Sequence, residues 1–103
     1  MQSFDSNDLD RATRLYAAVA DANARAVFDW FIDHPDQRAE GTAIASALGF
    51  SDNKLVARGT YAIGLAAAAE DRARPWHEAQ MGYLMPGQMA DLFEKARAVR
   101  ASD

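Results

Sequence analysis

Apolar positions recur at helical spacing over most of this chain. Leu9, Ala12, Tyr16 and Val19, with Leu15 beside them, mark a first amphipathic helix. Ser6 or Asn7 is placed to cap it, and Asp8 and Asp10 suit its positive end. Asp21 is the expected cap of a second helix, whose stripe is Ala24, Val27, Phe28 and Phe31. That helix should stop near His34, because the residue before Pro35 avoids helical angles. His34-Pro35-Asp36-Gln37 reads as a turn, and Arg38 and Ala39 as a very short strand.

The most informative pattern follows, over residues 38–64. A third helix is expected over roughly Gly41–Leu48, with Ile44, Ala45 and Leu48 inward. Gly49 ends it, as glycine does where the chain must turn left-handed. Ser51 or Asp52 then caps a fourth helix with Leu55, Gly59, Ala62, Ile63 and Ala66 on its buried face. This is the layout of a helix-turn-helix. Pro75 closes the helical region. Trp76-His77 and Tyr83-Leu84 can form two short strands, with Gly82 permitting the tight turn between them. Pro86 suits the first turn of a last helix, striped by Met89, Leu92, Phe93, Ala96 and Val99.

Length and composition narrow the class. A chain of 103 residues is one domain with one modest core. The expected division is a loose segment over residues 1–7 and a single domain over 8–100. Phe4, Leu15, Tyr16, Phe28, Trp30, Phe31, Ile32, Leu48, Phe50, Leu55, Ile63, Trp76, Tyr83, Leu84, Leu92 and Phe93 are the large core candidates. Alanine supplies much of the remaining apolar content. It favours helix and buries little area per residue. No apolar run approaches membrane-spanning length, and the polar, acidic start argues against a signal peptide. The absence of cysteine leaves a reducing, cytoplasmic compartment as the expectation.

The order helix, helix, short strand, helix, helix, hairpin, helix contains three helices followed by a β-hairpin. Between Tyr16 and Arg97 the chain carries His34-Pro35, Ile44-Ala45-x-x-Leu48-Gly49-Phe50, Val56-Ala57 ahead of Ile63-Gly64, Arg74-Pro75-Trp76, and Tyr83-x-Met85-Pro86 ahead of Leu92-Phe93. These segments resemble winged helix-turn-helix domains, and most of all a group of small actinobacterial proteins of uncharacterised function. The resemblance implies a mostly-α winged helix-turn-helix fold, a three-helix core plus a short hairpin, with added N- and C-terminal helices. It implies DNA binding and names no catalytic residue or cofactor.

In a helix-turn-helix the second helix lies in the major groove and its first residues meet base edges. Asn53, Lys54, Arg58 and Tyr61 are the groups on offer, the last three sharing the outward face. Arg58 suits guanine and Asn53 adenine. Thr42 and Ser51 can donate to phosphates near helix starts. Arg72, Arg74 and His77 would be hairpin contacts to the backbone. The formal charge of −4 opposes phosphate binding, but residues 1–50 hold eight acids against four bases while residues 51–103 hold seven of each. Asp52, Glu70, Asp71 and Glu78 lie among the bases and would repel phosphate.

Other chemistry is poorly represented. His34 and His77 lack ligand spacing on a common face, and Asp29, Asp33 and Asp36 read most simply as a solvated acidic face. No nucleophile has a base beside it, so an enzyme is not expected. The expected role is a homodimeric DNA-binding protein, a transcriptional regulator or accessory factor, with the first and last helices supplying the dimer contact. The alternative is a winged helix used for protein–protein contact, favoured by the acidic first half, by Trp30 and by Leu65-Ala-Ala-Ala-Ala69, which offers no side-chain hydrogen bonds.

Overall fold

The computed structural model describes residues 1–102. The elements run α1 (Leu9–Ala18), α2 (Ala22–Asp33), β1 (Ala39–Glu40), α3 (Gly41–Leu48), α4 (Lys54–Ala69), β2 (His77–Ala79), β3 (Gly82–Leu84) and α5 (Gly87–Ser102). This is a mostly helical domain with a small antiparallel sheet, in the element order read from the sequence. The strand order is β1-β3-β2. Ala39 pairs with Tyr83 and Glu40 with Gly82, so the short strand ahead of α3 is joined to the hairpin.

Local chemistry accounts for most element ends. The Asp21 carboxylate accepts from the Ala24 N–H at 3.0 Å and caps α2. Gly49 holds φ +75° and closes α3, where the Gly49 and Phe50 amides return to the carbonyls of Ser46 and Ala45. The start of α1 differs from expectation. Neither Ser6 nor Asn7 caps it; Asp8 stands at that position and spends its carboxylate elsewhere. The hairpin turn also differs. Gln80 (φ 51°) and Met81 (φ 64°) take the left-handed positions, and Gly82 pairs within β3 instead. Its missing side chain leaves room for a neighbour: a Cβ on Gly82 would lie 2.9 Å from the Arg38 guanidinium, which would have to shift.

The core is aromatic at its centre. Phe93 of α5 packs on Phe28 of α2 (centroids 5.0 Å) and edge-on to Phe4 (5.2 Å). Trp76 stacks on Phe31 at 5.3 Å, so the approach to the hairpin is core, as the sequence suggests. Phe4 is buried and the Ala73 amide donates to the Gln2 carbonyl. The segment expected to be loose is therefore tied down by packing and by a backbone bond. Met85, Val56 and Pro75 are fully buried as well, none of them a core candidate from the sequence.

The apolar stripes of α1 and α5 meet each other and the aromatic core. Ala12, Leu15, Tyr16, Ala90, Leu92, Phe93 and Ala96 are all buried. These helices finish the core, so the faces expected to pair two chains are largely covered, Val99 being left exposed. The acids of α2 are likewise engaged. Arg97 reaches both Asp29 (3.3 Å) and Asp33 (2.8 Å), and the Tyr16 hydroxyl donates to Asp29 at 2.7 Å. Burial and that carboxylate push the Tyr16 hydroxyl up to about 12. Asp36 accepts from the Gly87 amide at the start of α5. None of the three acids is simply a solvated charge.

α4 packs on α2 at Gly59. A Cβ there would lie 3.1 Å from Val27 Cγ2 and 3.3 Å from Ala24 Cα. Gly64 is also crowded, but only by the flexible stem of Arg74. Gly59→Val should cost about 1–3 kcal/mol through overpacking, read as a lower urea midpoint. Gly64→Ala should lose far less, because the helix propensity gained, roughly 1 kcal/mol, offsets displacement of a mobile side chain.

Candidate nucleic-acid interface

The packing at Gly59 sets which side of α4 faces out. Val56, Gly59, Thr60, Ile63 and Ala67 are buried, while Leu55, Ala62 and Ala66 only flank them. The inward face is thus turned by about one residue from the expected one. The Thr60 hydroxyl is satisfied by donating to the Ala57 carbonyl at 3.0 Å. Lys54, Arg58, Tyr61 and Leu65 follow one another along the exposed side.

The start of α4 is held by neighbours on the turn. The Asp52 carboxylate accepts from the Lys54 amide at 2.8 Å, and Asn53 is the first flanking residue, without a side-chain cap bond. Asn53 lies against the start of α3, its Cβ 3.6 Å from where a Gly41 Cβ would stand, with Tyr83 of β3 near the same point. Thr42, Ser51 and Asn53 are exposed. Thr42, Ser51, Asn53, Lys54, Arg58 and Tyr61 are thus all exposed on the two helices and the turn between them.

Electrostatics separates the basic residues. Arg11, Arg14, Arg38, Arg72, Arg74 and Arg97 each stand in an ion pair. Lys54 and Arg58 make neither an ion pair nor a side-chain hydrogen bond among the described residues. Cations left unpaired on one exposed helical face are available to an anion from outside.

Two expected members do not belong to this face. Arg72 is buried and bidentate on Asp8, Nε to Oδ2 and Nη2 to Oδ1 both at 3.0 Å, and its third nitrogen donates to the Asp71 carbonyl. It ties the chain leaving α4 to the start of α1 and cannot act as a hairpin contact. His77 is exposed but lines a different groove, with residues 3–6 and α5. Strand alternation turns it away from Glu78, which meets Arg74 at 3.1 Å on the α4 side.

Arg74 lies beside α4, with its charge answered by Glu78. Its stem crosses α4 at Gly64 and its guanidinium meets Glu78. A residue missed in the sequence is Arg38. It donates to the Ala79 and Gln80 carbonyls and so clasps the hairpin turn. The only sequence signal for this was Gly82, whose missing side chain leaves room for the guanidinium. Among the described residues no cluster of three His, Asp or Glu is placed to hold a metal ion, and no helix is long and apolar enough to cross a membrane.

The fold thus defines a small, mostly helical domain with an exposed, locally basic helix start. The chain belongs to a family of unknown function (DUF6416), which it matches over residues 9–100. No curated protein and no solved structure matches it.

The Arg72 guanidinium, by hydrogen bond and charge, holds the Asp8 carboxyl below its ordinary value of 3.8, against the opposing effect of burial. A depressed folded pKa stabilises the fold above the unfolded value and ceases to do so as pH falls through the folded one. Asp8→Asn should therefore be less stable than wild type at pH 7, with the gap closing below about pH 4. Urea unfolding at both pH values measures this; a gap that stays constant would show that the pair does not act through ionisation.

Proposed function

We propose that this chain is a small winged-helix DNA-binding protein, a transcriptional regulator or accessory DNA-binding factor of the cytoplasm. The observation that carries the reading is the pair of unpaired cations, Lys54 and Arg58, one turn apart on the exposed side of α4. The helix order, the left-handed turn at Gly49 and the hairpin joined to β1 support it. In this reading α4 enters the major groove, with Arg58 and Asn53 at base edges and Lys54 on phosphate. Thr42 and Ser51 donate to the backbone from the α3 side, and Arg74 does so from the hairpin side.

Anisotropy with a labelled random duplex tests this directly. Wild type should bind at low salt and weaken as salt rises. The double variant Lys54→Ala, Arg58→Ala should show a logarithmic salt slope shallower by about 2, roughly 0.9 for each phosphate no longer neutralised. Absence of binding at low salt overturns the reading.

Glu78 supplies a test in the opposite direction. Glu78→Gln removes the carboxylate that neutralises Arg74, so duplex affinity at low salt should rise roughly threefold, as a single exposed charge near phosphate allows. Unchanged affinity in the same assay would place Arg74 outside the interface.

A second reading, a winged helix that contacts protein, is favoured by one observation. Tyr61 and Leu65 are 69% and 57% exposed on the same face of α4.

A further inference from the structure

The C-terminal half of the α4 face is apolar and uncovered. Tyr61 and Leu65 project from it, and Ala68 and Ala69 follow, all exposed. Beside them runs a groove of about 410 Å³, bounded by Thr60, Tyr61, Gly64, Leu65, Arg74 and Met1. Projection and groove thus lie next to each other on one surface, as a two-fold interface requires. Among the described residues α1 and α5 bury most of their stripes against the core, with Val99 near the end of α5 left exposed.

Charge selects the occupant. Unpaired Lys54 and Arg58 lie at one end of the apolar patch. At the other end, in the turn after α4, Asp71 is exposed and its carboxylate is in no ion pair among the described residues. Its neighbour Glu70 is already held by Arg14 at 2.8 Å. An antiparallel pairing of two α4 helices about a two-fold axis at Leu65 brings Leu65 to its own copy. It lays Tyr61 over the small side chains of Ala68 and Ala69, and sets Arg58 beside Asp71 twice. The helix dipoles also run antiparallel in this arrangement.

We infer that the exposed face of α4 is a self-association surface, and that its partner is a second copy of this chain paired antiparallel through Tyr61, Leu65 and reciprocal Arg58–Asp71 contacts. This goes beyond the DNA reading and does not require it. Because Arg58 and Tyr61 serve both, a copy paired in this way cannot present them to DNA.

The test is sedimentation equilibrium of the full chain, with far-UV circular dichroism to confirm folding of each variant. Wild type should dimerise with a Kd of roughly 1–100 μM. Leu65→Asp, at an exposed position, should stay folded and be monomeric. Arg58→Asp should weaken the dimer at least about tenfold through like charges placed opposite one another, and adding Asp71→Arg should restore it. A wild type still monomeric at about 200 μM, a dimer indifferent to Leu65→Asp, or a failure of the charge swap to rescue would each overturn the proposal. These outcomes are read without DNA, so loss of duplex binding in the separate assay leaves them unchanged.

Discussion

The close contact of α4 with α2 at Gly59 is the constraint on which the rest of the exposed surface depends. With no side chain at 59, the α4 backbone lies directly against Ala24 and Val27. Rotation about the helix axis is then limited, because any other residue facing α2 would bring a side chain into that space. Val56 and Ile63 follow Gly59 inward, and both are fully buried. Lys54, Arg58, Tyr61 and Leu65 are left outside. The chemistry of the exposed face is thus a consequence of a packing choice on the opposite side of the helix.

Local requirements were legible in the sequence, whereas the rotation of α4 that this contact sets was not. Gly49 and the cap at Asp21 were legible because a left-handed turn and an orphan N–H impose local requirements that one residue type meets. The inward face of α4 was read one residue off. Leu55 looked like the larger payload, yet Val56 lies on the Gly59 side and is buried. In an alanine-rich helix the apolar stripe is broad, so composition alone could not fix its rotation. The hairpin strands were legible from their aromatics, but not the left-handed turn at Gln80 and Met81, residues without special tolerance for that conformation.

Long-range polar partners were the least visible feature. Arg72 was read as a hairpin cation because it stands at the entry to the hairpin, yet its partner Asp8 is 64 residues away. Arg38 bonds carbonyls 41 and 42 residues away. Charge spacing along a chain carries no information about such partners, since the fold decides which carboxylate or carbonyl approaches. The acidic balance of the first half misleads for the same reason. Arg97 of α5 answers Asp29 and Asp33, and Arg72 answers Asp8. What matters at the exposed face is the charge left after these pairings, and there Lys54 and Arg58 remain.

On the two proposals made for this face, two kinds of anion would compete for that remaining charge. A duplex offers many phosphates and attracts from a distance, through an interaction that salt screens over about a Debye length, roughly 10 Å at 0.1 M. A second copy, paired as proposed, would offer one carboxylate per arginine and would also bury Tyr61 and Leu65, an attraction that salt does not screen. Raising the ionic strength should therefore move the chain from duplex to dimer, whereas dilution should favour the duplex because self-association is second order in the chain. On those proposals, a face with its cations at one end and its apolar residues at the other would change occupant without any change in fold.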